Sequence, residues 1–199
     1  MNYLIIGLLI GGIIFIISSC NKKPKTNSQT EDKTEQKKVD PNNNPYNDMR
    51  NMAFGITEKE LGIELEENKT KIYGVIMDWS IGNGTATLVS FISGDASLYL
   101  SSGGGMIGGQ SHENVSKASK YFIEKAENYI SKGTKTEINP LPNNDEILFY
   151  FLTNKGKFVV KEKIENIENN KSELLNLFEE GNKVISEIRI VTEKQQNWN

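Results

Sequence analysis

The chain has 199 residues, a quarter of them charged, a net charge of −3, one cysteine and one histidine. A lone cysteine excludes a disulfide framework, and with one histidine any metal would have to be a hard cation held by carboxylates and carbonyls. Basic residues are interspersed with acidic ones rather than gathered in a stripe, which excludes a nucleic-acid surface, and no repeat occurs at solenoid or propeller periods.

The chain opens with an apolar run from Tyr3 to Ile17, broken by glycines and shorter than the ~20 residues of an ordinary spanning helix. Its length suits the hydrophobic region of an export signal. Ile17-Ser18-Ser19-Cys20 follows: an aliphatic residue, two small residues and the only cysteine. This resembles the lipobox of bacterial lipoproteins. The resemblance implies a signal peptide over residues 1–19, a diacylglycerol thioether on Cys20, and an exported protein lipid-anchored to a bacterial membrane. Asn21 after Cys20 leaves inner and outer membrane open. The segment Met1-Asn2 lacks the lysine or arginine that such leaders carry, so an uncleaved N-terminal anchor is the alternative.

Residues 20–47 change abruptly to Lys, Asn, Thr, Gln, Glu and Pro, with Val39 almost the only aliphatic side chain. Such a segment buries too little apolar surface to offset the entropy of ordering, and is expected to be a lipidated, solvated tether. Lys22, Lys23 and Lys25 stand where they could touch anionic headgroups. Residues 48–199 have the length of one globular domain.

Within that domain, Met49, Met52 and Ile56 are expected on one helical face, and Thr57-Glu58-Lys59-Glu60 reads as a capping box. Ile72–Trp79, Thr85–Ile92 and Ala96–Ser101 read as strands of an antiparallel meander, with turns at Asn83-Gly84 and Gly94-Asp95. A glycine-rich stretch, Ser101 to Gln110, leads to a helix whose Val115, Ala118, Phe122, Ala126 and Tyr129 repeat at helical spacing, with Ser111 as N-cap and Gly133 as stop. Ile147–Thr153 and Lys157–Lys161 form a hairpin around Asn154-Lys155-Gly156, and Glu165–Asn170 reads as a polar loop. From near Ser172, Leu174, Phe178, Gly181, Ile185 and Ile188 share a helical face, unless Gly181 ends the helix and leaves Val184–Val191 as a strand.

The order β-β-β-α-β-β-α predicts an α+β domain: a five-stranded antiparallel sheet with helices packed on a face. In element order it resembles the profilin, longin and roadblock folds. Gly84-Thr85-Ala86-Thr87-Leu88-Val89, Ser93-Gly94-Asp95-Ala96-Ser97-Leu98-Tyr99 and Gly103-Gly104-Gly105-Met106-Ile107-Gly108-Gly109 resemble a set of uncharacterised bacterial proteins over about Tyr73 to Arg189. That resemblance implies no activity.

The candidate ligand-binding residues are Gly103, Gly104, Gly105, Gly108, Gly109, Ser111 and His112. A glycine-rich loop entering a helix can present several backbone N–H groups to an anion. Gly103 to Gly108 satisfies G-x-G-x-x-G in letters but lacks the βαβ context of a dinucleotide site, and no Gly-Lys-Ser/Thr is present. The same glycines equally suit close backbone packing as the chain leaves the sheet. His112 beside Glu113 is either a first-turn surface residue or a base. Ser101, Ser102 and Ser111 lack a nucleophile elbow, and Asp78 and Asp95 read as turn residues beside hairpins. No catalytic residue, cofactor or metal site is assigned. Trp79 and Trp198 read as core and tail residues.

Two functional readings follow. The first is a non-catalytic binding or scaffold module that meets another envelope protein through an exposed apolar patch. The second is a small anionic-ligand-binding or hydrolytic domain centred on Gly103 to His112, gathering Asp78 or Asp95 in a concave site.

Overall fold

A computed structural model describes residues 45–196. The leader, Cys20, nearly all of the expected tether and Trp198 lie outside the described residues. The fold of the described residues opens with helix α1 (Pro45–Gly55), with proline at its first position, where the missing N–H costs nothing. Then come β1 (Ile72–Ile81), β2 (Gly84–Phe91), β3 (Ala96–Leu100), the two-residue β4 (Gly105–Met106) and helix α2 (Glu113–Ala126). The two-residue β5 (Thr134–Lys135), β6 (Glu146–Thr153), β7 (Gly156–Lys163), the short α3 (Ile164–Glu168) and the long α4 (Leu175–Gln196) complete it.

The strands form one sheet in the order β4-β3-β2-β1-β6-β7-β5, every pairing antiparallel. The α+β class holds, but the sheet has seven strands rather than five. The two extra strands are the sheet's edges. β4 lies inside the glycine-rich stretch and β5 in the connection after α2, and a two-residue strand has no alternation for a periodicity argument to detect. Such short edges also leave little backbone for another chain to pair with.

The second correction concerns the layers, because helices cover both faces of the sheet rather than one. β1 is the central strand, flanked by β2 and β6, and is buried almost throughout. Its Ile72, Val75, Met77 and Trp79 join Leu88, Leu98, Phe149 and Phe151 on the face covered by α2 and α4, where Phe122, Phe178, Leu177 and Ile185 are buried. Its Tyr73 and Ile76 join Val89, Phe91, Tyr99, Leu148, Tyr150 and Leu152 on the opposite face, under α1. A register shift between Ile72 and Gly74 lets both faces of β1 keep their pattern. A Cβ at Gly74 would stand 2.9 Å from the Phe91 ring, so the shift is built around a residue without one.

Several local expectations hold and others move. The capping box forms: Thr57 N donates to Glu60 Oε2 at 2.8 Å, and Glu60 N to Thr57 Oγ1 at 3.4 Å. The first hairpin turns at Gly82-Asn83, one residue before the expected Asn83-Gly84, since Ile81 pairs with Gly84 and Gly82 carries the positive φ of 57°. The buried face of α1 is Tyr46, Arg50 and Ala53, while Met52 is 72% exposed. Residues 164–168 form a helix held by the buried Ile167 rather than a loop. Helix α4 runs through Gly181 without interruption, and a side chain there would meet Met77 Sδ at 2.8 Å. The missing Cβ is what lets α4 approach the sheet.

Candidate functional site

The glycine loop was the sequence's best site, and its geometry is structural. At Gly105 the chain turns back to pair with β3, with φ 143° and no room for a Cβ, which would stand 2.0 Å from the Leu98 carbonyl oxygen. A Cβ at Gly109 would meet Val115 Cγ1 at 2.6 Å and the Ala96 carbonyl oxygen at 2.8 Å. Gly103, Gly104 and Gly108 are exposed, each with positive φ. Gly109–Ser111 form a single 3₁₀ turn, so Ser111 is not the N-cap of α2; that position is His112, whose side chain makes no capping bond. Ser111 Oγ instead donates to the Gly108 carbonyl at 3.3 Å.

Charge in this loop is already met from within. The backbone N–H of Gln110 donates to Asp95 Oδ1 at 3.2 Å, so a carboxylate of the chain itself takes a donor that an external anion would need. Ser101 Oγ accepts the N–H of Thr85 at 2.8 Å. His112 is half-buried, with no side-chain hydrogen bond or ion pair among the described residues. Asp78 does not approach this loop.

Asp78 lies instead in the middle of β1, on the α1 face, with no exposed surface. Arg50 on α1 reaches down to it: Nε at 3.0 Å and Nη2 at 2.6 Å both donate to Asp78 Oδ2. Thr87 on β2, paired across from Asp78, donates its hydroxyl to Oδ1 at 2.5 Å. That donation occupies the only Thr87 proton, so Tyr46 Oη is the donor in its 2.8 Å contact with Thr87 Oγ1. Arg50 also donates from Nη1 to the Asn139 carbonyl at 2.9 Å and from Nη2 to the Pro140 carbonyl at 3.1 Å. Tyr150 Oη donates to that same Pro140 carbonyl at 2.5 Å. The guanidinium carbon stands 4.8 Å from the centre of the Phe54 ring, and Phe54 meets Tyr150 edge-on at 4.9 Å.

The energetics of this cluster follow from its burial. Loss of water pushes the Asp78 carboxyl up, opposed by the hydrogen bonds and charge of Arg50 and by Thr87. Burial and the Asp78 charge push the Tyr150 phenol up to about 12, which keeps it a hydrogen-bond donor at neutral pH. Both Asp78 oxygens and all three guanidinium nitrogens are engaged, leaving no group free to act on a substrate. The chemistry is that of a clamp: one cation on α1 gathers a carboxylate on the sheet and two carbonyls of the 139–140 loop.

The sequence contained a signal for this clamp. A carboxylate inside the apolar run Ile72–Trp79 needs a partner once the strand is buried on both faces. Arg50 is one of only two arginines in a chain that otherwise uses lysine, and a planar guanidinium is the cation best suited to a buried fork. The residues lie 28 positions apart, a separation at which no helical or strand periodicity connects them.

Open clefts lie elsewhere. One of about 370 Å³ is lined by Lys71, Ile72, Ile92, Lys120, Ile123 and Glu127. Another of about 410 Å³ is lined by Asp145, Glu146, Lys163, Glu165 and Glu168. Among the described residues no cluster of His, Cys, Asp and Glu could hold a metal ion, and no helix is long and apolar enough to cross a membrane. No protein-family model, no curated protein and no solved structure matches the chain.

Proposed function

We propose that the chain is a lipid-anchored cell-envelope protein whose α+β domain is a non-catalytic binding or scaffold module for another envelope protein. The observation that carries this reading is the junction at Pro45. An export-type apolar run, Ile17-Ser18-Ser19-Cys20 and a polar segment make up the sequence upstream of the first described residue. From Pro45 onward Asp78, Arg50 and Asp95 serve structure. Asp78 and Arg50 neutralise each other beneath α1, and Asp95 satisfies the turn at Gln110. The ligand-binding or hydrolytic alternative at Gly103–His112 stands second, because among the described residues His112 has no carboxylate or serine partner to make it a base.

The test is intact mass of the protein extracted from its own membrane. The expected species begins at Cys20 and carries a diacylglyceryl thioether, and Cys20→Ala leaves the leader uncut. A chain that retains residues 1–19 with an unmodified thiol would overturn the anchor.

A further inference from the structure

We infer that the segment 135–141, with the hairpin turn it lies against, is a docking surface for an anionic lipid bilayer. The inference rests on the lipid-anchor reading for the membrane's proximity, but not for the surface itself.

The loop's backbone faces inward. The carbonyls of Asn139 and Pro140 are held by Arg50, and that of Pro140 also by Tyr150. With its polar groups turned to the protein, the loop presents apolar side chains outward: Ile138 is 71% exposed and Leu141 is 45% exposed. Two exposed aliphatics within four residues, on a loop pinned from beneath, form a fixed apolar projection rather than a fluctuating one.

Beside it stand three lysines that form no ion pair among the described residues, although most ion pairs there are lysine with glutamate. The Lys135 side chain lies over Gly156, its Nζ 3.4 Å from where a Cβ on that glycine would stand. Lys155 is exposed in the same turn. Lys157 Nζ donates to the Asn139 side chain and to the Glu137 carbonyl, and lies 5.0 Å from the Phe54 ring of α1. Glu137 is the acidic residue of the segment, and it faces Lys157. Aliphatic tips next to the exposed Lys135 and Lys155 ammonium groups match the acyl boundary and phosphates of an anionic leaflet, where each lysine is worth about fivefold in partitioning.

The chain's course agrees. Arg50 ties this loop to α1, and α1 begins 25 positions after Cys20. On the lipid-anchor reading, 24 residues separate Cys20 from Pro45, and a solvated chain of that length spans roughly 25–30 Å. The chain enters the described residues on the α1 side of the sheet, not the α2 and α4 side.

The test uses the full chain reconstituted in phosphatidylglycerol or phosphatidylcholine vesicles, with a water-soluble acylating reagent as probe of lysine exposure. Lys135 and Lys155 should react about fivefold more slowly on phosphatidylglycerol, while Lys117 and Lys183, exposed on α2 and α4, should change less than about twofold. The double variant Ile138→Gln, Leu141→Gln alters exposed side chains only and should return Lys135 and Lys155 to the phosphatidylcholine rate. Equal rates on both vesicles, or slowing shared by all four lysines, would overturn the docking surface. Vesicle flotation and the mass of the Cys20 peptide, read on the same samples, report the anchor separately. A lipidated chain that floats on both vesicles with equal rates keeps the anchor and removes the docking surface; an unmodified Cys20 with slowed Lys135 and Lys155 does the reverse.

Discussion

The two faces of the sheet are closed by different physics. Under α2 and α4 the contact is mainly apolar, with Met77, Trp79, Phe149 and Phe151 packed against Phe122, Phe178 and Ile185, Trp79 set edge-on to Phe178 at 5.1 Å, and the buried Ser119 donating to the Phe91 carbonyl at 3.3 Å. Under α1 the contact is smaller and aromatic, and it is organised around one buried ion pair. Apolar burial is non-directional and tolerates sliding, whereas a guanidinium that must meet Asp78, Asn139 and Pro140 together allows one placement of the helix. An 11-residue helix is marginal by itself. The clamp therefore gives α1 a position that its length and its small buried face of Tyr46, Arg50 and Ala53 would leave loose.

The largest expected effect comes from breaking that clamp. Asp78→Ala leaves Arg50 buried without its counter-charge and should lower unfolding free energy by about 3–5 kcal/mol in urea titration. The double variant Arg50→Met, Asp78→Leu removes both charges and should recover most of that loss. Near-additive losses in the cycle would show that the pair is not coupled. On the other face the lever is shape. Gly181→Val forces a branched side chain against Met77 and Phe122 and should cost about 1–3 kcal/mol, with no change in the coupling between positions 50 and 78.

A smaller effect sharpens the comparison through pH. Burial pushes the Glu162 carboxyl up, but hydrogen bonds from Ser172 Oγ at 2.6 Å, Asn166 Nδ2 at 2.7 Å and the Lys163 N–H at 2.8 Å hold it below the usual carboxylate range. Because its pKa is lower in the folded state, its contribution is fully present above the ordinary glutamate value and is lost as pH falls through the folded value. Glu162→Gln should therefore lower the neutral plateau of a stability-versus-pH curve and meet the wild-type curve at low pH, which flattens the acid limb. A parallel displacement of the whole curve would argue against that role.

What was legible in the sequence was whatever repeats. Alternation and apolar runs placed the five long strands to within two or three residues, and helical spacing placed α2 and α4. Two-residue edge strands carry no period, so β4 and β5 were invisible, and with them the true width of the sheet. The candidate site failed for a related reason. Glycine marks unusual backbone without saying why it is unusual, and at Gly105 and Gly109 the reason is close approach to β3 rather than a ligand. Asp78 was read as a turn residue because hairpins lie nearby, when its position inside an apolar strand was the stronger fact. Apolar spacing groups Met52 with Met49 and Ile56 on one helical face, whereas the face that α1 buries contains the charged Arg50 and leaves Met52 exposed.

The central structural claim is that α1 belongs to the folded unit, locked to the sheet through Arg50 and Asp78. Native-state hydrogen exchange of the α1 amides tests it most directly. The account predicts that these amides exchange with protection comparable to β1 and β6 in the wild-type chain, and lose it selectively in Arg50→Ala while α2 and α4 stay protected. Rapid exchange throughout α1 in the wild-type chain, beside a protected sheet, would contradict it.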